Sequence, residues 1–149
     1  MKMFFILTSV LQILLMIADE FIFHWRRNLP KWERLGHPVD TLSFLFPFLI
    51  LGFAPQTQSW KIAYIALSVL SCLIITKDEW VHSEVSPASE QWLHANLFVL
   101  HPVVLISAFF LWQDQSLQLL FQAMSMGIFI FMLYQFLFWN FYADRIFKK

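Results

Sequence analysis

Five apolar stretches, each of a length that can cross a bilayer as a helix and divided only by short polar links, constrain this chain more than any other feature. A hydrocarbon core about 30 Å thick takes roughly 20 helical residues, and somewhat fewer where the helix tilts or the bilayer thins. The stretches lie at about 3–24, 38–54, 60–77, 92–112 and 117–142. In hydrocarbon every backbone amide needs a partner inside the protein, so only helices or a closed barrel can cross. The unbroken apolar character lacks the alternation of barrel strands. The expectation is an all-α integral membrane protein, a five-span helical bundle forming one transmembrane domain over 1–149. The second stretch is the shortest and carries Pro47, which removes a helix bond and predicts a kink.

Composition agrees, with 59% apolar residues, 13% charged, and 18 Phe and 7 Trp against 3 Gly. A soluble domain of this size cannot bury that much apolar surface. The opening Met1-Lys2 and the apolar run to Ala18 have the form of a cleavable leader. The run continues through Phe21, Ile22 and Phe23, so it reads as a retained span. A net charge of zero gives no basic field for nucleic acid, and no nucleic-acid-binding motif occurs. Cys72, the single cysteine, lies within an apolar run, which excludes an internal disulfide and a cysteine-based metal cluster.

Bases set the expected orientation. Arg26, Arg27, Lys31 and Arg34 lie between the first two stretches and Arg145, Lys148 and Lys149 in the tail, whereas 55–59 and 113–116 carry none. The positive-inside rule then predicts an outer N-terminus and a cytoplasmic C-terminus. Trp25, Trp32, Trp80, Trp92, Trp139 and Tyr142 near stretch ends predict an interfacial aromatic belt.

On this topology the five histidines, His24, His37, His82, His94 and His101, and nearly all the acids gather at the cytoplasmic side. Glu20 and His24, Glu33 and His37, Asp78 and His82, and Glu90 and His94 are each four residues apart, and Glu79 and His82 are three apart. On a helix such pairs share a face, where carboxylate and imidazole can hold one divalent ion. His101 extends the Glu90–His94 stripe into the membrane.

An internal duplication is also expected. Asp19-Glu20 followed by His24 parallels Asp78-Glu79 followed by His82, and Pro30-x-x-Glu33-x-x-x-His37 parallels Pro87-x-x-Glu90-x-x-x-His94. The predicted repeats are about 3–54 and 60–112, two helical hairpins in one orientation, with the helix at about 117–142 as an addition. Paired about an axis along the membrane normal, they would offer Glu20, His24, Glu33, His37, Glu79, His82, Glu90, His94 and His101 as ligands. Asp19, Asp40 and Asp78 would serve as alternative ligands or orient the imidazoles, while Arg26, Arg27 and Arg34 would hold an anionic head group. No nucleophile or other catalytic side chain is singled out.

Nitrogen and oxygen donors without sulfur suit two divalent ions, iron ahead of manganese or zinc. The ligand types resemble those of helical-bundle di-iron carboxylate proteins, whose three-residue Glu–His spacing occurs here at Glu79 and His82. The paired-histidine boxes of membrane hydroxylases and desaturases are absent, because no two histidines lie two to four residues apart. The expected function is a membrane-embedded, metal-dependent oxidase or hydroxylase acting at the cytoplasmic interface on a lipid or other apolar molecule, with a redox partner. A zinc-dependent membrane hydrolase, a divalent-metal carrier or sensor, a haem protein and a structural subunit are the alternatives. Transport is disfavoured by the outer halves, which offer only Thr8, Ser9, Gln12, Ser107, Gln118, Gln122 and Ser125.

Overall fold

The structure is a computed structural model and describes residues 1–78 and 86–147, without the side chains of Arg27 and Asp78. Helix α1 (Lys2–Ala18) runs into a π-helical turn (Asp19–His24) and a short end (Trp25–Arg27). Then come α2 (Lys31–Phe53), α3 (Gln58–Ile74) with a 3-10 turn (Ile75–Asp78), and α4 (Ala88–Leu111). After a 3-10 turn (Gln115–Leu117), α5 (Gln118–Leu137) continues through a second π turn (Phe138–Tyr142) into Ala143–Phe147. No strand occurs among the described residues. Five helices are long and apolar enough to cross a membrane.

Met3, Leu7, Phe53, Val99, Phe110 and Leu119 are all more than 60% exposed, a cover that water does not stabilise and lipid does. The interior is built on α2, the most enclosed helix, which packs along α5 on one side and α3 on the other, while α1 packs along α4. Phe44, Phe48, Leu51, Tyr64, Leu105 and Phe121 form its apolar centre. Polar side chains close the helix contacts: Tyr64 Oη donates to Leu105 O (2.8 Å) and Gln122 Nε2 to Gly52 O (3.0 Å). A Cβ on Gly52 would come within 3.1 Å of Gln122, so glycine is what lets α2 and α5 approach there.

Three boundaries differ from the sequence expectation. Helix α2 begins at Lys31, not near 38, and holds both Pro38 and Pro47 in its interior. Pro38 cannot bond the carbonyl of Arg34, and Asn140 Nδ2 from the end of α5 donates to that oxygen instead (3.2 Å). Helix α4 begins at Ala88, not near 92. Pro30 and Pro87 cap these two helices with nearly the same backbone, φ −65° and ψ 157° or 156°. Glu33 and Glu90 follow in the first turns, where a carboxylate meets the helix dipole favourably. The fifth span reaches Phe147, past 142, because the π turn continues the helix. Trp139 also leaves the expected aromatic belt: it is fully buried, whereas Trp25, Trp32, Trp92 and Tyr142 are exposed.

At the opposite end of the bundle Lys2 pairs with Asp114 (2.6 Å). The Lys2 ammonium holds the Asp114 carboxyl below its ordinary range. A lowered carboxyl contributes stability above its unfolded value and loses it as pH falls through the lowered one. Asp114→Asn is expected to shift thermal melting in detergent only slightly at neutral pH, and not at all in high salt, because exposed pairs are screened.

Candidate metal centre

The centre lies at the end of the bundle where α1 turns toward α2 and where α4 begins. An α-helical spacing would put Glu20 and His24 on one face. In a π turn the bonded partners are five residues apart, so Asp19 and His24 come together as well. Asp19, Glu20 and His24 are all buried as a result.

Two groups of ligand atoms form there. Asp19, His24, Glu90 and His94 each offer one atom, all within 4.8 Å of one another, and all four residues are buried. His24, Glu33 and His37 form a second group, with ligand atoms again within 4.8 Å of one another, so the two groups share His24. Asp19 joins two histidines: Oδ1 accepts from His94 Nε2 (3.0 Å), and Oδ2 lies 3.2 Å from His24 Nε2. His24 Nδ1 lies 3.5 Å from Glu20 Oε2, and the rings of His24 and His37 are 4.4 Å apart. His37 Nε2 and Glu33 Oε2 are 3.7 Å apart. His24 is 1% exposed, yet neither of its ring nitrogens has the alignment of a hydrogen bond with any described residue.

No family model, curated protein or solved structure matches this chain. What the centre can do is therefore read from its own side chains.

Neither ligand group includes Glu20 or His101, which the sequence pattern placed among the ligands, and the first includes Asp19, which it placed as an alternative. Glu20 is held by α5: Trp139 Nε1 donates to Oε1 (2.5 Å) and Gln135 Nε2 to Oε2 (3.1 Å). Gln135 in turn accepts from Thr41 Oγ1 (2.6 Å), so Glu20 is tied to α2 through α5. Trp139 lies in the second π turn and is fully buried. No sequence spacing could have revealed this contact, because it joins residues 20 and 139.

His101 stands apart in a polar chain across four helices. Its Nε2 bonds Ser71 Oγ (2.9 Å), Ser71 bonds Ser43 Oγ (2.9 Å), and Nδ1 faces Gln12 Nε2 (3.5 Å). Asp40 pairs with Lys77 (2.5 Å) between α2 and the end of α3. Arg34 serves the backbone and the tail: Nε donates to Leu29 O (2.8 Å) and Nη2 lies 2.9 Å from Asp144. Arg26 is exposed. Glu79, His82, Trp80 and Glu84 lie outside the described residues, as do the side chains of Asp78 and Arg27.

A cavity of about 100 Å³ borders the centre, touching Asp19, Glu20, His37, His94, His101 and Gln135. Buried carboxylates and imidazoles therefore face a space large enough for water or a small reactant.

Trp139→Phe is expected to keep a smaller aromatic ring and remove the donor, leaving Glu20 one hydrogen bond short and a small void in the buried site. A bond to a charged group contributes about 1.5–3 kcal/mol. Thermal unfolding in detergent should drop accordingly; a variant melting with the wild type would mean that the contact contributes nothing.

Proposed function

We propose that the chain is a membrane-embedded, metal-dependent enzyme that acts on a lipid-like substrate at the cytoplasmic interface, with oxidation or hydroxylation the favoured chemistry. The observation that carries this reading is His24: a buried imidazole between two groups of donors, near carboxylates on both sides and hydrogen-bonded to no described residue. Buried ionisable groups in a membrane helix are costly and are retained where they function.

Asp19, His24, Glu90 and His94 hold the first metal ion, and Glu33 and His37, with His24 between the groups, hold the second. Nitrogen and oxygen donors alone favour iron, with manganese or zinc also suited. The metal would supply charge stabilisation and activation of oxygen or water. Glu20, held by Gln135 and Trp139, places a carboxylate 3.5 Å from His24 Nδ1, where its charge would favour a metal-bound imidazole. His101, on the cavity wall, is bonded through Nε2 to Ser71 and faces Gln12 through Nδ1. Hydroxylation of a C–H bond places one atom of dioxygen in the product and the other in water. It takes two electrons, which a redox partner must deliver, and two protons from water.

The orientation that fits the distribution of bases has the N-terminus outside and the C-terminus and the metal centre on the cytoplasmic side. Arg26, exposed at that end, then lies where an anionic head group would sit. The matching caps at Pro30 and Pro87, each followed by a buried glutamate, support an ancestral duplication of the α1–α2 and α3–α4 hairpins.

Elemental analysis of the detergent-purified protein, with oxygen uptake measured in the presence of lipid extract and a chemical reductant, tests the reading. Iron together with lipid-dependent uptake is the expected result. Zinc alone would shift the function to a hydrolase, and absence of any metal after gentle purification would overturn it.

A further inference from the structure

The metal centre is not the end of the internal space. A second cavity, about 450 Å³, adjoins the first and shares Gln12, Met16, Phe44 and Phe131 with it. It lies in the seam where α1 faces α5, two helices that pack mainly against other partners. Its walls are almost entirely apolar, with Phe44 and Val104 from α2 and α4 and Ile13, Ile17, Gly127 and Ile128 across the seam. Ile13 and Ile17 are 47% and 45% exposed, so this rim lies on the outer, lipid-facing surface. The space is of the size that holds one small ligand.

Two features show that the protein's own side chains do not fill it. A Cβ on Gly127 would meet nothing within 4 Å, although glycine inside a helix costs about 1 kcal/mol relative to alanine. Ser9 and Gln12 line the cavity, and their buried Oγ and Oε1 atoms have no hydrogen-bond partner among the described residues. Buried polar atoms in apolar surroundings are stabilised only when something bonds them. Gln12 Oε1 accepts and Ser9 Oγ both accepts and donates, so the missing partner carries a donor.

We infer that the α1–α5 cavity seats one hydrocarbon chain of a single-chain amphiphile that carries a hydrogen-bond donor such as a hydroxyl, and that this chain reaches the metal centre from the bilayer through the seam. The inference rests on the proposed enzymatic reading and deepens it by naming the substrate class. Gln12 and Ser9 hold the donor, the apolar walls hold the chain, and the small cavity by Asp19 and His94 admits only a narrow portion of it. A two-chain phospholipid does not fit a space of this volume whole. A large side chain at position 127 would fill the space that Gly127 leaves open.

The test uses the full chain in lipid nanodiscs, a radiolabelled long-chain alcohol as probe, and metal content measured on the same samples. Wild type and Gly127→Ala should bind the alcohol alike. Gly127→Trp, whose indole fills the cavity from α5, should bind it at least tenfold more weakly with unchanged metal content. Ala123→Phe fills the same space from a second position and stands in should the Trp variant not fold. Equal binding by wild type and a folded filled variant would overturn the inference. Loss of the alcohol with metal retained speaks to the chain site alone, whereas alcohol binding by a wild type that holds no metal would remove the enzymatic reading and leave the cavity's occupant standing.

Discussion

Replacing His24 with alanine is expected to strip the protein of nearly all its metal, a larger effect than any other single substitution at the centre. His24 is the one residue common to both donor groups, and its ring stands between Asp19 on one side and Glu20 and His37 on the other. Changing a group that only orients a ligand lowers metal affinity by about 10–100-fold, and removing a ligand shared by two groups should exceed that. Metal per chain after gel filtration is the readout. His101→Ala is the matched control, since His101 is equally buried but bonded to Ser71 and outside both groups. Glu20→Gln should fall between the two, because both carboxylate oxygens are already accepting bonds from α5. Wild-type metal content in His24→Ala would remove the shared-ligand arrangement.

Chelation of the metal is expected to destabilise the folded bundle on the order of 10 °C in detergent melting, reversed by adding the metal back. A ligand that binds only the folded state stabilises it by about 4 kcal/mol when present at a thousand times its dissociation constant. For a chain of this size each kcal/mol is worth about 2–4 °C. The effect has a structural cause beyond mass action. Asp19 and Glu90 are buried within a few ångströms of His24 and His94, and Glu33 of His24 and His37, and a bound cation offsets the cost of burying their charges. Identical melting with and without chelator would mean that the side-chain contacts alone carry the stability of this end of the bundle.

The number and approximate placement of the helices were legible in the sequence because hydrocarbon leaves a backbone few choices. What the pattern missed was local. The apolar run suggested a second helix from about 38, but α2 starts at Lys31 and continues through Pro38, where the lost bond at Arg34 O is remade by Asn140, more than a hundred residues away in the chain. Counting at α-helical spacing paired Glu20 with His24 and set Asp19 aside. The π turn brings Asp19 onto the same side as His24 and turns Glu20 toward Trp139. Nothing in the residues from 19 to 24 announces a π turn, whose Asp19 and Glu20 meet partners on α4 and at the end of α5. His101 continued the Glu90–His94 stripe by spacing, yet Ser71 on the facing helix takes its Nε2. The Glu33–His37 and Glu90–His94 pairs lie in ordinary α-helix, and there the four-residue spacing identified members of the two donor groups.

Metal-edge X-ray absorption on the purified protein tests the central claim most directly. The account predicts a shell of nitrogen and oxygen neighbours at about 2.0–2.2 Å with an imidazole contribution that diminishes in His94→Ala and is unchanged in His101→Ala. A shell dominated by sulfur, or a spectrum that His94→Ala leaves untouched, would contradict it.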